Sequence, residues 1–521
     1  MMNILGRFVP DEVRGKGQIP YSGPEGISPF GEREIGRVFR HRDKRRSKIV
    51  PNLKEAIGSS GLSDGMTISF HHHLRNGDAV VNMVMKEISE MGIRGLRVYP
   101  SALFPVHEPL LNHIDDGTIG SIEGSLNGPL GKAASLGRLK DPVVLRSHSG
   151  RVAALARGEV EIDVAFLGVS CCDEMGNANG VKGRSAFGPC NFPKADAHFA
   201  RYTVLITDNL VRFPCTPISI PGTDVDMVVE VDSIGDPSQI LSGSIQLTTD
   251  PSKLAIAHQV MDILEIGALL EDGFSFQAGS GGISLALTKF IGERLKKKNK
   301  KASFALGGTT RYLVDMLEGG SLKVLLDGQC FDTDAVRSLL KNDNHLETFV
   351  DQYGNLHTGA TFTEKEQTAF LSATEIDIDF NVNVNTHSDG WLLHGIGGHQ
   401  DVAYGSNLTF VTIPLVRKNN PIVKERVLTV TTPGDLIDIV VTERGISFNT
   451  SMKDTERRSR NEELEVKCRK KGLEVFDISD LRNKALAQGA VDIEPRTTDD
   501  IFGVVKYIDG TVLDSLYMVK G

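Results

Sequence analysis

A length of 521 residues is too great for a single hydrophobic core, so we expect about two to four domains. The formal net charge of −9 and the single tryptophan argue against nucleic acid as a partner, which would require basic patches and stacking aromatics. The sequence shows no apolar run of the ~18 residues that a membrane helix needs, and no apolar signal segment at its start. We therefore expect a cytoplasmic protein with no membrane span.

The N-terminal extension, residues 1–49, contains all but the last residue of the basic stretch FRHRDKRRSKIV at 39–50. Seven of its twelve residues are Arg, Lys or His. A solvated arm and a clamp on phosphates or on an acidic partner both fit this composition, and the sequence leaves the choice open.

The remaining chain reads as one β-loop-α-β-α-β series written twice, at offsets of about 204 to 214 residues. The first copy contains SFHHHLRNGD, GLRVYP, VHEPLLNHIDDG, GSIEGS and EIDVAFLGVSC (161–171) in that order. The second copy contains FQAGSGGISLA, ASFALG, RYLVDMLEGG, KVLLDGQ and EIDIDFNVNVN (375–385). Alternating strands and helices predict parallel-rich sheets flanked by helices. We predict an α/β protein with two homologous domains, 50–245 and 246–521, rather than one large sheet with unrelated halves.

Ligands of α/β proteins bind outside the carboxyl ends of the strands, and the least ordinary loops of both copies fall there. The first-copy loop contains His71, His72, His73, Arg75 and Asn76. Successive residues of an extended chain face opposite sides, which argues against one metal ion held by three adjacent histidines. A structural role and an anion site that meets carboxylates both remain open. We predict no metal site.

Two glycine-rich loops of the second copy are suited to holding an anion or an oxyanion, because small residues expose backbone N–H groups at a helix start. The loop residues are Gly279, Ser280, Gly281, Gly282, Gly395, Gly397, Gly398 and His399. Between these loops, the stretch at 375–385 reads as one strand in which Asn381, Asn383 and Asn385 alternate with valines. Asparagine is poor in strands, so the row predicts either a polar pocket or a solvent-facing side.

The six cysteines show neither CxxC spacing nor a disulfide framework, and we expect reduced, mostly buried thiols. They are Cys171, Cys172, Cys190, Cys215, Cys330 and Cys468.

As a set, AGSGG, VNVN, GIGGHQD and VVTERG resemble the CoA-transferase superfamily. RSHSGR, DVAFLGVSCCDEMGNANG and SFHHHLRNGD resemble one branch of it, the citrate lyase alpha-chain family, and the likeness runs from about residue 5 to the C-terminus. The resemblance implies two CoA-transferase-like domains and an enzyme that exchanges acetyl for citryl on a thioester. The thioester would sit on the phosphoribosyl-dephospho-CoA arm of the gamma (acyl carrier) subunit, with acetyl-CoA as a surrogate and no cofactor bound by this chain. The beta subunit would cleave the citryl product, so we expect an oligomer.

The resemblance also assigns roles, with one departure. Many CoA-transferases use a glutamate nucleophile, but our placement of that loop on LLDGQCFD puts Gln329 at the position, and Glu123 of the first-copy EGS is out of register. A neutral amide cannot be the nucleophile. The resemblance to the citrate lyase branch implies that a citrate carboxylate attacks the acetyl thioester directly, through a mixed anhydride, with no covalent enzyme intermediate, and Gln329 fits that mechanism as a hydrogen-bonding group.

Gln329, Gly397 and Gly398 are the expected catalytic residues. The residues expected to hold the CoA-like arm are Gly279, Ser280, Gly281, Gly282, Gly395 and His399. The residues expected to bind citrate are His71, His72, His73, Arg75, Asn76, Asn383 and Asn385, with Arg146, His148 and Arg151 as second choices.

Other functions remain open. One is a citramalate or short-chain acid CoA-transferase that uses free CoA, and another is a non-catalytic scaffold or sugar-phosphate sensor on a related fold. The sequence does not separate citrate from citramalate, because so small a change of substrate alters few residues.

Overall fold

The computed structural model describes residues 1–24, 47–240, 247–356, 358 and 360–521. Most of the basic stretch at 39–50 and the predicted domain boundary at 245/246 therefore lie outside the described residues.

The first half contains fifteen described strands and six described helices. The strands are β1 (Glu12–Val13), β2 (Lys16–Gly17), β3 (Ile49–Val50), β4 (Thr67–Phe70), β5 (Leu96–Pro100), β6 (Ala102–Leu103), β7 (Ile119–Ile122), β8 (Ser125–Leu126), β9 (Val143–Leu145), β10 (Val164–Val169), β11 (Cys171–Asp173), β12 (Ala178–Asn179), β13 (Tyr202–Thr207), β14 (Leu210–Val211) and β15 (Met227–Glu230). The helices are α1 (Leu53–Ser59), α2 (Val80–Glu90), α3 (Leu110–Asp115), α4 (Pro129–Ser135), α5 (His148–Ala156) and α6 (Asn191–Phe199).

The second half contains a further fifteen described strands and eight described helices. The strands are β16 (Ser275–Ala278), β17 (Ala302–Thr309), β18 (Leu322–Cys330), β19 (His345–Glu347), β20 (Thr368–Leu371), β21 (Glu375–Asp377), β22 (Val382–Asn383), β23 (Leu408–Thr412), β24 (Val416–Arg417), β25 (Asn420–Pro421), β26 (Val423–Lys424), β27 (Ile439–Thr442), β28 (Gly445–Phe448), β29 (Thr497–Lys506) and β30 (Val512–Val519). The helices are α7 (Pro251–Ile266), α8 (Gly282–Lys298), α9 (Arg311–Glu318), α10 (Thr333–Lys341), α11 (Val350–Gly354), α12 (His399–Gly405), α13 (Thr455–Lys470) and α14 (Ile478–Ala487).

Two large sheets organise these elements. The first has the order β3-β15-β13-β10-β4-β5-β7 and is parallel throughout. The second has the order β19-β18-β17-β16-β20-β23-β27-β28 and is parallel except for its last pair. The run β15-β13-β10-β4-β5-β7 of one sheet matches the run β27-β23-β20-β16-β17-β18 of the other. The predicted α/β class with parallel-rich sheets is confirmed.

Helix α2 illustrates why the sequence folds in this way. Val80, Val84 and Ile88 recur at helical spacing, and all three are buried. Burying one such aliphatic side chain contributes about 1.5–3 kcal/mol, which fixes the face of the helix that packs on the sheet.

The repeated EID stretches do not occupy equivalent places, so that part of the duplication argument is wrong. The first-half EID (161–163) precedes β10, whereas the second-half EID is β21, and the counterpart of β10 is β20. The sequence at 375–385 is also not one strand: Phe380, at φ +63°, lies in the turn of a hairpin between β21 and β22.

The true partner of that hairpin is the β11–β12 hairpin, at a constant offset of 204 residues. Asp173 Oδ1 accepts from the backbone N–H of Asn177 at 3.0 Å, and Asp377 Oδ1 accepts from that of Asn381 at 2.9 Å. The side-chain oxygen of each asparagine also accepts a hydrogen bond from a glycine backbone N–H at 3.0 Å. The donor is Gly222 in the first half and Gly434 in the second. The two halves thus share a side-chain network as well as a strand order.

The C-terminal hairpin β29–β30 returns to the first half, where β29 pairs in parallel with β9. The larger hydrophobic core also contains side chains from both halves, including Leu167, Leu326 and Tyr353. The two halves therefore form one packed body, and the ends of their strands hold fixed positions relative to one another. The predicted boundaries at 50 and 246 stay predictions.

Within the described ranges, no helix is both long and apolar enough to cross a membrane. All six cysteines are buried, as expected.

Candidate active site

A pocket of about 390 Å³ lies between the halves, at the carboxyl ends of β16, β17, β18 and β20. The first half contributes His148, Asn191 and Phe192 from the starts of α5 and α6. The second half contributes both glycine-rich loops and the end of β18. The predicted residues that line the pocket are Gly279, Ser280, Gly281, Gln329, Gly397, Gly398 and His399.

The first glycine-rich loop connects β16 to α8. Gly281 is the N-cap of this 17-residue helix, and Gly282 is its first residue. A Cβ added at Gly281 would meet nothing within 4 Å, so the backbone there borders open space. The free N–H groups and positive dipole end of α8 therefore face the pocket, which suits an anionic group.

The second glycine-rich loop enters α12. Gly397 has a φ of +65°, which favours glycine, and its carbonyl accepts a hydrogen bond from the His148 backbone N–H at 3.0 Å. A Cβ at Gly398 would lie 2.6 Å from the Tyr353 hydroxyl oxygen, so a larger residue at that position would force the buried Tyr353 side chain to move. Gly395 lies outside the lining, with its N–H donating to Ser125 Oγ at 2.9 Å.

His399 lines the pocket, but both of its ring nitrogens have protein partners. Nδ1 lies 2.8 Å from Thr432 Oγ1, and Nε2 lies 3.2 Å from the carbonyl oxygen of Ser372. Burial lowers the pKa of His399 to about 4, so the imidazole is neutral at physiological pH.

Gln329 lies near the end of β18, where Asp327 fixes the local backbone. Asp327 Oδ1 accepts from the Gln329 backbone N–H at 2.8 Å, and its Oδ2 lies 3.0 Å from His345 Nε2. The Gln329 side chain reaches the first half, with Oε1 lying 3.2 Å from His72 Nε2. Its Nε2 atom is buried and has no hydrogen-bond partner among the described residues.

The three adjacent histidines are buried behind Gln329 and are not part of the pocket lining. His71 Nε2 lies 2.7 Å from the carbonyl oxygen of Gly168, and His71 Nδ1 lies 3.0 Å from His73 Nδ1. Burial lowers the pKa of His72 and of His73 well below the ordinary value. The structure therefore joins the histidine loop to the pocket through Gln329.

Arg75 and Asn76 begin the short 3₁₀ turn that follows the histidines. The Arg75 guanidinium lies 5.2 Å from the ring centre of Phe331, which lines the pocket, and 5.1 Å from that of Phe104. Arg75 therefore lies one aromatic layer away from the pocket.

Asn383 and Asn385 make hydrogen bonds to the surrounding protein rather than lining the pocket. The Asn383 Nδ2 donates to Thr386 Oγ1 at 3.1 Å, and the Asn385 Nδ2 donates to the carbonyl of His394 at 3.1 Å. Between them, Val384 lines the pocket. The amides hold the loop that carries His394, which also lines the pocket.

Of the second choices, Arg146 and Arg151 form ion pairs and His148 lines the pocket. Arg146 bridges Glu123 and Glu159, with a shortest contact of 2.6 Å to each. Arg151 makes a bidentate pair with Asp196, at 2.6 and 2.9 Å.

Residues 46–519 match the model of the family described as citrate lyase, alpha subunit (CitF). The chain belongs to the citrate lyase alpha-subunit family. It is 43% identical to the citrate lyase alpha chain of Klebsiella pneumoniae over 98% of this chain and 97% of that one. It is 41% identical to that of Escherichia coli, over 93% of each. As a member of this family the chain is a transferase.

Solved structures agree. One described as the alpha subunit of citrate lyase from Streptococcus mutans in complex with citrate has a TM-score of 0.93 at 38% identity, covering 100% of both chains. A Pseudomonas malonate decarboxylase hetero-tetramer structure has a TM-score of 0.61 at 16% identity, covering 84% of this chain and 90% of that one. The second likeness shows a shared fold alone.

The pocket is electrically neutral throughout its described lining, which contains no aspartate, glutamate, cysteine, lysine or arginine. Burial also lowers the pKa of His148 to about 4. No group of three or more His, Cys, Asp or Glu side chains is placed to hold a metal ion in the portion of the chain that the structure describes. The polar groups that line the pocket are backbone N–H groups, neutral imidazoles, hydroxyls and the side-chain amides of Asn191, Gln277 and Gln329.

Asp401, the last residue of the motif GIGGHQD, has a role that the local sequence pattern does not indicate. Its Oδ1 accepts from Ser147 Oγ at 2.7 Å, and its Oδ2 accepts from the Ser149 backbone N–H at 3.2 Å. Burial raises the pKa of Asp401 to about 7. Asp401 therefore ties the start of α5, which carries His148, to the second glycine-rich loop. The two serines lie more than 250 residues from Asp401 along the chain, so no local pattern indicates the contact.

Proposed function

We propose that this chain is the citrate:acyl-carrier-protein transferase of a citrate lyase complex. The observation that carries the proposal is the lining of the pocket between the halves. It offers hydrogen-bond donors and a helix N-terminus but no carboxylate or thiol among its described residues. Gln329 stands where other CoA-transferases are expected to carry a glutamate nucleophile. Such a pocket can bind and polarise two substrates, and its described lining lacks the carboxylate from which an enzyme–CoA thioester would form.

The transfer proceeds in two balanced steps. A citrate carboxylate oxygen attacks the acetyl thioester carbonyl carbon, the C–S bond breaks, and the carrier leaves as a thiolate, which gives a mixed acetyl–citryl anhydride. The thiolate then attacks the citryl carbonyl carbon, and acetate leaves. No proton is gained or lost, so the protein has to provide positioning and oxyanion stabilisation rather than an acid or a base.

Both requirements match the geometry of the pocket. Effective molarity in a well-oriented site supplies about 7–11 kcal/mol at most. Each preorganised oxyanion donor contributes roughly 3 kcal/mol. The backbone of the Gly397–Gly398 loop, the N-terminus of α8 and the free Nε2 of Gln329 are the candidate donors.

The partners follow from the same proposal. The arm of the acyl carrier subunit enters along the Gly279–Gly282 loop, and the beta subunit receives the citryl thioester. Citrate as substrate is supported by the Streptococcus mutans relative, whose structure is described as a complex with citrate. The assignment of His71, His73, Arg75 and Asn76 to citrate stays a prediction from the sequence, since none of the four lines the pocket. The test is Arg75→Ala: an unchanged KM for citrate would remove Arg75 from that set.

The experiment is an acyl-transfer assay on the purified chain with acetyl-CoA and citrate, read by mass spectrometry. Formation of citryl-CoA supports the proposal, and the carrier subunit replaces CoA in a second arm. Citramalate in place of citrate tests the alternative of a citramalate or short-chain acid CoA-transferase. A chain that forms no citryl thioester with either carrier contradicts the proposed function.

A further inference from the structure

A hydrogen-bonded series of three side chains runs from the first half to the wall of the pocket. Ser101 follows β5 and His72 follows β4; these strands are parallel neighbours, so the two loops meet at one sheet edge. Ser101 Oγ lies 2.6 Å from His72 Nδ1. His72 Nε2 lies 3.2 Å from Gln329 Oε1, across the boundary between the halves.

The charge state of His72 determines the direction of the hydrogen bonds in this series. Burial lowers the pKa of His72 well below its ordinary value, and His148 and Arg75 nearby lower it further. A neutral imidazole has one donor and one acceptor. When Ser101 donates to Nδ1, the ring proton lies on Nε2 and donates to Gln329 Oε1. The Gln329 amide then has its NH₂ group turned away from His72.

The side-chain NH₂ group of Gln329 is the end of this hydrogen-bonded series that lacks a partner. Gln329 is 8% exposed and lines the pocket, yet Nε2 is buried without a partner among the residues that the structure describes. Leaving such a donor unpaired costs about 1–3 kcal/mol, so an amide without support would rotate to satisfy it. In the tautomer that donation from Ser101 to Nδ1 selects, His72 donates from Nε2 to Gln329 Oε1 and opposes that rotation. A buried, unpaired donor held in place at a pocket wall indicates a group kept ready for a ligand.

We propose that His72, supported by Ser101, is a positioning residue that holds the Gln329 amide with its N–H toward the oxygen that becomes negative during acyl transfer. The inference rests on the proposed function, and it replaces the sequence-based assignment of His72 to citrate itself. His72 does not line the pocket, whereas Gln329 does. His72 therefore acts on the reaction through Gln329.

A double-mutant cycle tests this directly, because two residues that act through one hydrogen bond give non-additive losses. The variants are His72→Leu, Gln329→Ala and the pair together, assayed with acetyl-CoA and citrate. We expect kcat to fall about 10²-fold for each single variant, as for the loss of one oxyanion donor. We expect the double variant to be no slower than Gln329→Ala, with the KM for citrate unchanged throughout. His72→Gln, which places an amide N–H near the position of Nε2, should recover much of the rate.

Two results would overturn the inference: losses that multiply in the double variant, or a raised KM for citrate in His72→Leu. Either would show that His72 acts on the substrate itself. If His72→Leu does not fold, Ser101→Ala carries the test. It should lower kcat several-fold in the wild-type background and not at all in the Gln329→Ala background, and an unchanged kcat in both refutes the role. Failure of the proposed function would appear earlier, as wild-type protein that forms no citryl thioester.

Discussion

Gln329→Glu is the substitution that separates direct transfer from a covalent route, because it exchanges an amide for a carboxylate of almost the same shape. The new carboxylate would lie where Gln329 now lines the pocket, about as close to His72 Nε2 as the 3.2 Å that separates it from Oε1. A neutral His72 can donate a hydrogen bond to the amide oxygen of glutamine or to a carboxylate oxygen of glutamate, so we expect the variant to fold.

The expected loss follows from the donor that disappears. The NH₂ group of Gln329 is removed and a negative charge takes its place near the developing oxyanion, so direct transfer should fall by at least the 10²–10³-fold typical of one lost donor, or about 3–4 kcal/mol. A buried carboxylate is, however, a competent nucleophile toward a thioester carbonyl. It would form an acetyl–enzyme anhydride that the released CoA thiolate converts to an enzyme–CoA thioester and free acetate.

The assay is reductive trapping. Wild-type protein, Gln329→Ala and Gln329→Glu are incubated with acetyl-CoA and treated with borohydride, and the intact mass and the peptide around residue 329 are measured. We expect modification of Gln329→Glu alone. Trapping of a thioester on the wild-type protein would refute the direct-attack reasoning, because it requires a nucleophile that the neutral pocket lining lacks.

Four further substitutions test the structure around the pocket. Burial raises the pKa of Asp401 to about 7, above that of the unfolded chain. The contribution of Asp401 to native stability should therefore decline from about pH 4 to pH 7, and the Tm of Asp401→Asn should lack that contribution to the pH dependence. Gly398→Ala, which forces a Cβ to within 2.6 Å of a tyrosine hydroxyl, should lower both Tm and kcat, whereas Gly281→Ala should leave Tm unchanged because its Cβ meets open space. Arg151→Met leaves buried Asp196 unpaired and should cost about 3–5 kcal/mol in urea unfolding.

Local patterns located much of the site. Gly281 and Gly398 stand where short glycine-rich runs precede a helix, and both line the pocket. Gln329 was singled out because a neutral residue occupied the expected place of a nucleophile, and it lies at the pocket wall. Such signals survive in the sequence because a loop that exposes backbone to a ligand needs small residues at adjacent positions.

Patterns that depended on register were less informative. The EID repeat suggested equivalent strands, but the turn at Phe380 shows that Glu375 belongs to a separate hairpin. Asn383 alternates with valines as a strand residue would, yet its amide makes local hydrogen bonds. Alternation over a few residues does not distinguish a strand that faces a pocket from a hairpin whose polar side chains satisfy its own turn.

The sequence by itself determined the α/β class, the duplication, the family and the glycine-rich loops, because each depends on residues close together in the chain or on motifs read as a set. Only the tertiary structure decided what meets across the two halves. Gln329 contacts His72, 257 positions away, and Asp401 holds Ser147, 254 positions away. The first contact exists because β4 and β18 end at the same boundary between the halves, and the second because the start of α5 packs against α12. Both arrangements depend on the packing of a shared core, which no local pattern encodes.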